Sequence, residues 1–302
     1  MEKEIIALLQ QKGPSTGSEI LEVIGGDELL LWQTCKRSEK LDIRTVGTHY
    51  MRLDRNVEGY ARMSPSILRE FLTYTVVGVR GDEDRSGRRA ENLVSHMEKV
   101  SRAKLELAYR TACSLATWVE SEWAVYDMIC FIIAGDIVYN MAHDVPRPER
   151  STKKMVKGSD MDVVVIVDDH FPDNLKKKLD DAIYQEKYRL LMTPHLREEL
   201  DYIVKDLNRV REQVHFDTFK HMVACKILYE GTLLYGSERL FTEVKSVLRE
   251  SGVTDRIVEL ERQAEIFRQQ AEAFLLTEDF TKANGGESLS FFYPTEESEE
   301  FE

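Results

Sequence analysis

The sequence lacks the features that define several common classes of protein. It has only four cysteines, Cys35, Cys113, Cys130 and Cys225, and no CxxC pair, so we expect buried free thiols and neither a zinc site nor a disulfide framework. No apolar run is long enough to cross a bilayer and no signal peptide is recognised, so we expect a cytoplasmic protein without direct membrane insertion. Positive charge is also in deficit. The net charge of −13 disfavours non-specific binding to duplex DNA or anionic membrane, although it still permits a local basic site.

The remaining composition is that of a globular protein with 42% hydrophobic and 31% charged residues. A chain of 302 residues can hold two compact domains. The predicted elements, in order, are a winged-helix-like module (1–63), a helical linker (64–122), a region that carries the chemistry (123–250), a C-terminal helix (251–283) and a flexible acidic tail (284–302).

Residues 1–63 have an order of elements that resembles a winged helix-turn-helix. The patterns predict helices at 1–11, at 19–24 and from 27 onward, then strands at 41–46 and 48–53. Such a module either binds DNA or contacts protein. Because Lys36, Arg37 and Lys40 form its only basic cluster, and groove binding needs a basic stripe on the second or third helix, we favour protein contact or dimerisation.

Amphipathic patterns predict further helices along the chain. They cover residues 64–77, 88–119, 172–191, 194–211 and 254–280. The helix at 88–119 would be a spine that joins the two halves of the protein.

The strongest chemical signal is the segment 158–167, which reads GSDMDVVVIV. Its run of Val and Ile predicts a buried strand. Asp160 and Asp162 are two residues apart, so a strand would place both carboxylates on one face. Carboxylate oxygens suit Mg²⁺ or Mn²⁺, and two such ions are typical of nucleotidyl transfer. An isolated Asp-x-Asp would more often be an exposed strand start, but the apolar run favours the metal interpretation.

A possible phosphate site precedes this strand. Residues 128–134 predict another buried strand, followed by Gly135-Asp136 and a helix over 137–141. Such a turn presents backbone N–H groups to an anion. The basic loop 143–157, with Arg147, Arg150, Lys153, Lys154 and Lys157, would add positive charge. A solvated mobile loop is the alternative for any single one of these cations.

A third acid could complete the metal site. Residues 213–219 read as a strand, with Asp217 between apolar neighbours. A carboxylate on an adjacent strand would bind an ion and accept the proton of an attacking hydroxyl. The alternative for Asp217 is a turn or a helix cap before a helix at 220–229. We expect His215 to be structural.

In this order the motifs resemble the DNA polymerase β-type nucleotidyltransferase superfamily. The matching residues are Ala134-Gly135, Asp160-Met161-Asp162, Asp217 and the stretch 229–237, YEGTLLYGS. Together they fall within roughly residues 123–245, and four motifs in the right order are fairly specific. Asp136 departs from the pattern because the family has Ser or Gly there, and the spacer from Gly135 to Asp160 is longer than usual.

The resemblance implies an α+β fold with a palm, which is a mixed and mostly antiparallel sheet backed by helices. It implies a nucleoside triphosphate substrate and two Mg²⁺ or Mn²⁺ ions. Asp160, Asp162 and Asp217 would be catalytic residues and metal ligands. The nucleotide-binding residues would be Gly135, Asp136, Lys154, Lys157 and Ser159.

The acidic tail contains the aromatic triplet Phe291-Phe292-Tyr293. Exposed aromatic side chains are costly in solubility, so the triplet is expected to have a use, and a docking peptide is the simplest. The arrangement also resembles the Hailong anti-phage nucleotidyltransferases of the HalB type, which make deoxyadenylate oligomers and prime from a C-terminal tyrosine. That resemblance implies dATP as substrate, Tyr293 as priming nucleophile, a single-stranded oligonucleotide product and an effector protein that binds it.

Three functions remain open. One is a nucleotidyltransferase that polymerises nucleotides into a short oligonucleotide, as a signal in anti-phage defence. Another is transfer of a nucleotide to a protein or tRNA acceptor, or cyclic dinucleotide synthesis. The third is a winged-helix DNA-binding regulator with a ligand-sensing nucleotidyltransferase domain. The set of acids favours an enzyme, and the acidic net charge disfavours the regulator.

Overall fold

A computed structural model describes residues 1–57, 59–122, 125, 127–149 and 151–277. The α-helices are α1 (Glu2–Lys12), α2 (Gly17–Ile24), α3 (Glu28–Arg37), α4 (Ile67–Tyr74), α5 (Glu83–Glu122), α6 (Asp173–Met192), α7 (Leu207–Gln213), α8 (Phe219–Glu230), α9 (Glu238–Glu250) and α10 (Val253–Thr277). The β-strands are β1 (Ser15–Thr16), β2 (Leu41–Thr45), β3 (Tyr50–Leu53), β4 (Ala61–Ser64), β5 (Thr75–Val79), β6 (Ile129–Ala134), β7 (Pro146–Pro148), β8 (Met155–Lys157), β9 (Met161–Val167), β10 (Leu200–Asp206) and β11 (Thr232–Gly236).

Helices mixed with small sheets confirm the expected α+β class. The chain forms two compact units. The first contains Met1–His96 together with the described residues from Leu260 onward, and the second contains Met97–Glu259. Among the described helices, none is both long and apolar enough to cross a membrane. The four cysteines are free, as expected, and all but Cys113 are buried.

The first unit combines α1, α2 and α3 with a three-stranded antiparallel sheet of order β1-β5-β2. A capping box starts α2, because the Thr16 hydroxyl accepts the Glu19 N–H and the Glu19 carboxylate accepts the Thr16 N–H. Trp32, Phe71 and Leu275 are fully buried in the core of this unit.

The first unit extends past the boundary that the sequence suggests at residue 63. The helix predicted for 64–77 is wrong at its end, since α4 stops at Tyr74 and Thr75–Val79 forms β5. This segment is rich in β-branched residues, which favour a strand, and it pairs with both β1 and β2. The strand predicted at 48–53 is present as β3, and it pairs with β4.

The second unit is built on a four-stranded mixed sheet of order β10-β9-β6-β11. The pairs β6–β9 and β6–β11 are antiparallel, whereas β9–β10 is parallel. A parallel pair needs a crossover connection, which α6 provides. Every residue of β6 and β9 is buried, as their apolar runs predict.

The two faces of this sheet differ in their surroundings. Side chains such as Phe131 and Val163 pack in the main core with residues of α5 and α6. Because side chains alternate along a strand, Asp162 of β9 and Asp201 of β10 lie on the opposite face. The polar chemistry of the chain therefore faces away from its main core.

Three predicted elements of the second unit are wrong. Residues 194–211, predicted as one helix, form a loop, β10 and the start of α7. The run Tyr202–Val204 favours a strand, and the Asp206 carboxylate then caps α7 by accepting the Arg209 N–H at 2.8 Å. Residues 213–219, predicted as a strand, contain the end of α7, a turn and the start of α8. The helix predicted at 137–141 is replaced by a 3₁₀ turn at Gly135–Ile137 and further turns.

Candidate metal centre

Three carboxylates from two neighbouring strands converge in the second unit. Asp160 directly precedes β9, Asp162 lies within it, and Asp201 of β10 pairs with Asp162 in the parallel register. One oxygen from each carboxylate lies within 4.8 Å of the other two. Asp162 is buried, and the other two residues are half-buried. We call these three residues the acid cluster.

The acid cluster could hold a metal ion. Carboxylate oxygens are the preferred ligands of hard divalent cations, and oxygens bound to one octahedral ion lie about 3 to 4 Å apart. Like charges held this close disfavour the ionised form unless positive charge is nearby. The donor atoms and their spacing therefore suit a hard divalent ion.

Two basic side chains meet the acid cluster. Arg147 of β7 lies with Nη2 3.5 Å from Asp160 Oδ2 and Nη1 2.9 Å from Glu199 Oε2. Lys187 of α6 lies with Nζ 2.7 Å from Asp201 Oδ1. Both residues supply counter-charge and hold their carboxylate partners in place.

Glu199 is a fourth acid beside the cluster. Burial raises the pKa of Glu199 to about 7, Arg147 opposes this rise, and the charges of Asp160 and Asp201 add to it. The burial of Glu199 beside Asp160 and Asp201 creates a crowded, partly dehydrated patch of carboxylates, which is an environment that attracts a cation.

Asp217 does not belong to the acid cluster. It lies in the loop before α8 with a side chain that is 63% exposed, and its Oδ1 is 2.7 Å from His221 Nδ1. This hydrogen bond lowers the pKa of Asp217. The next residue, Thr218, caps α8. The strand predicted around Asp217 is therefore wrong, and Asp201 occupies the third position of the cluster.

Asp201 was missed because its strand reads as part of a helix. Its local signal resembles that of Asp162, since each acid is followed by an apolar run, Tyr202–Val204 in one case and Val163–Val167 in the other. Treating both runs as strands would have identified Asp201.

Gly135, predicted to bind phosphate, makes room for Asp162. Ala134 pairs with Asp162 across β6 and β9, and Gly135 follows with a φ of +73°. A Cβ atom on residue 135 would lie 2.0 Å from Asp162 Oδ2. Only glycine tolerates both this backbone conformation and this close approach.

The N–H of Gly135 is already engaged. It donates to Glu230 Oε1 at 3.3 Å, and Glu230 Oε2 accepts the Tyr139 hydroxyl at 2.8 Å. Glu230 also pairs with Lys226 at 2.8 Å, and both side chains are buried. The Gly135 N–H, which the sequence assigns to a phosphate, is thus already hydrogen-bonded to a carboxylate of the protein.

Asp136 and Ser159, also predicted to bind nucleotide, contact each other. The Ser159 hydroxyl donates to Asp136 Oδ2 at 2.6 Å and accepts the His143 N–H at 3.2 Å. Both side chains are buried. This pair joins the turn after β6 to the residue before Asp160, so its evident role is to position the acid cluster.

The two lysines predicted to bind nucleotide lie on the β7–β8 hairpin or next to it. Lys154 Nζ is 2.9 Å from Met192 Sδ, and Lys157 Nζ donates to the His195 carbonyl at 2.7 Å. Both lysines are exposed. Arg150 and Tyr293 lie outside the described residues.

A cleft of about 610 Å³ is lined partly by β9 and β10, the two strands of the acid cluster, but none of the three acids lines it. Its lining includes Val164 and Ile203, each two residues beyond an acid on the same face of the sheet. Basic residues from β10, α7 and α8 also line it: Lys205, Arg209 and Lys220. We call this space the β10 cleft.

Lys205 has an unusual environment in the β10 cleft. It is only 3% exposed, and its Nζ donates to Gln213 Oε1 at 2.7 Å. Burial lowers the pKa of Lys205 to about 8, an effect that nearby Cys225 opposes. In the described part of the chain no carboxylate pairs with it. A buried ammonium with one neutral partner reduces stability.

We expect the free energy of unfolding of the wild type to rise relative to that of Lys205→Met between about pH 8 and pH 10. The pKa of Lys205 is about 8 in the folded protein against an ordinary 10.5, so the unfolded chain binds more protons there and stability rises with pH. The full difference is about 3 kcal/mol, of which about 2 kcal/mol falls between these two pH values. Urea unfolding of both proteins at the two pH values measures it, and a pH-independent difference between them would contradict the prediction.

Comparison of the chain with known proteins found no relative. No family model, curated protein or solved structure matches the chain.

Proposed function

We propose that this protein is a metal-dependent nucleotidyltransferase that joins (d)NTP units into short single-stranded oligonucleotides and releases pyrophosphate. One observation carries the proposal: Asp160, Asp162 and Asp201 converge on two adjacent strands, with oxygens within 4.8 Å of one another. Acids in this arrangement suit Mg²⁺ or Mn²⁺, with two ions in the proposed reaction.

The surrounding fold supports the proposal. The sheet of β10, β9, β6 and β11 has two antiparallel pairs and one parallel pair, which suits the polymerase β-type palm. Gly135 follows β6 and packs on Asp162, in keeping with the family's order of glycine before paired acids. In the first unit, the sheet β1-β5-β2 with α1, α2 and α3 suits a winged-helix-like module.

Each acid has a role in the proposed reaction. The hydroxyl oxygen of an acceptor forms a bond to the α-phosphorus, the bond from that phosphorus to the bridging oxygen breaks, and pyrophosphate leaves. Asp160, Asp162 and Asp201 would hold the metal ions, which balance the charge of the triphosphate when bound. Asp201, at the β10 edge, would also accept the proton of the attacking hydroxyl.

The proposal is tested by incubating the purified protein with each labelled NTP and dNTP plus Mg²⁺ or Mn²⁺. We expect a ladder of products from one nucleotide on a denaturing gel, and no ladder from the Asp160→Ala/Asp162→Ala control. If no nucleotide is incorporated with oligonucleotide, tRNA or protein acceptors present, the proposal is wrong.

The same gel tests the origin of the first hydroxyl. We propose that Tyr293 supplies it, since a phenol becomes a nucleophile when a metal and a base assist its deprotonation. Protease treatment should then shift the ladder, because the product stays attached to the C-terminal tail. A ladder that protease leaves unchanged would contradict priming by Tyr293 and would leave nucleotidyl transfer intact.

A further inference from the structure

We infer that the β10 cleft binds the phosphate backbone of a single-stranded oligonucleotide acceptor, with Lys205 and Lys220 as its phosphate ligands. This inference rests on the proposed function, because it names the acceptor of the same reaction and the surface that holds it.

The charges that line the cleft support an anionic ligand. Two of its cations are neutralised by acids of the chain, since Lys176 pairs with Asp206 at 2.7 Å and Arg209 pairs with Glu212 at 2.7 Å. Lys205 donates only to the neutral Gln213. The Lys220 side chain is exposed and has no hydrogen bond or ion pair among the described residues. Two cations that acids do not neutralise in one cleft are notable in a chain of net charge −13.

Apolar side chains in the cleft favour a nucleic acid over a bare phosphate as the ligand. The lining includes Ile203, which is 38% exposed, and Ala224, which is half-buried, whereas Val164 and Ile227 are almost fully buried. Single-stranded nucleic acids present both apolar base faces and a charged backbone, and their binding grooves combine apolar contact with positive charge. A cleft for inorganic phosphate alone would have no use for this apolar surface.

The position of the cleft suits the backbone of an acceptor strand. Its strand lining, Val164 of β9 and residues 203–206 of β10, lies beyond Asp162 and Asp201 along the same two strands. Lys205 is four residues beyond Asp201 on the same face, or about 13 Å along the strand. A strand ending at the acid cluster would place a phosphate a few nucleotides back beside Lys205.

The burial of Lys205 adds an independent argument. A methionine of similar length would fill the same space without the cost of a buried ammonium. A costly polar group at such a position is typical of a binding site. The cleft therefore retains a charge that the fold does not need.

The test measures binding without turnover. Fluorescein-labelled dA10 and A10 are titrated with the full-length protein in EDTA at several salt concentrations, and anisotropy reports the dissociation constant. We expect Lys205→Met and Lys220→Met each to weaken binding by about tenfold or more. Each should also lower the slope of log K against log salt by about 0.7. Lys177→Met is the matched control, because Lys177 is exposed and lies outside the cleft lining, and it should bind like the wild type.

Several results would overturn the inference. The first is a wild-type protein that binds neither oligonucleotide at low salt. The second is wild-type affinity in both Lys205→Met and Lys220→Met. The third is displacement of dA10 by an equal concentration of tripolyphosphate. The labelled-nucleotide assay separates this failure from that of the proposed function. If the protein incorporates nucleotide while both variants bind the oligonucleotide normally, only the inference about the cleft is refuted. If the oligonucleotide binds through Lys205 but no nucleotide is incorporated, only nucleotidyl transfer is refuted.

Discussion

The Asp201→Asn variant should incorporate labelled nucleotide about 10² to 10³ times more slowly than the wild type, whereas Asp217→Asn should stay within about twofold. Asp201 belongs to the acid cluster and Asp217 does not. Asparagine keeps the shape of the side chain, and its amide oxygen can still accept the hydrogen bond from Lys187 that Asp201 accepts at 2.7 Å. The change therefore removes a charged ligand with little disturbance of packing.

Metal binding gives this comparison a second readout. Mg²⁺ or Mn²⁺ that binds only the folded state raises the unfolding temperature, and the rise grows with concentration. We expect that rise in the wild type and in Asp217→Asn, and a much smaller one in Asp201→Asn. An inactive Asp217→Asn beside an active Asp201→Asn would reverse the assignment and restore the one made from the sequence.

The Gly135→Ala variant should lose about a hundredfold in nucleotide incorporation. Its new Cβ would lie 2.0 Å from Asp162 Oδ2, so the carboxylate must move by about 1 Å or more, and a displacement of that size at a reacting centre costs about 10²-fold. Alanine at a positive φ also destabilises the fold by about 1 to 2 kcal/mol. The loss of rate therefore has to be separated from the loss of stability.

Gly252→Ala provides the matched control for that separation. Gly252 has a φ of +74° against +73° for Gly135, but nothing lies within 4 Å of its hypothetical Cβ. Both variants should lose stability in urea unfolding, Gly135→Ala by more because of its clash with Asp162, and only Gly135→Ala should lose activity and metal binding. Equal activity of the two variants would show that Gly135 does not set the position of Asp162.

Local patterns in the sequence predicted part of this site well. The apolar runs of β6 and β9 identify buried strands, and the spacing of two predicts that Asp160 and Asp162 lie together. These features depend on residues that are close in the chain. The helices α5 and α6 are long enough to be recognised in the same way, whereas the α+β class was expected from the family resemblance.

The third acid has a weaker local signal, because the apolar run Tyr202–Val204 is too short to decide between a strand and a helix. Residues 200–206 become a strand because they pair with β9, and that pairing depends on residues far away in the chain. Pro194 stands where a proline often starts a helix, which makes the following segment look helical. Conversely, Asp217 has apolar neighbours on both sides, but its partner His221 lies one helical turn ahead. The hydrogen bond from the Gly135 N–H to Glu230 also joins residues far apart in the chain, so local patterns do not reveal it.

The crossover through α6 means that the acid cluster is completed late in the growth and folding of the chain. Asp160 and Asp162 precede α6, whereas Asp201 follows it. Parallel pairing of β9 with β10 must wait for the intervening segment, and such non-local pairing forms slowly. A nascent or partly folded chain would carry two acids without the third. Under the proposed function, competence for catalysis would depend on completion of the fold, and an unfinished chain would not consume nucleotides.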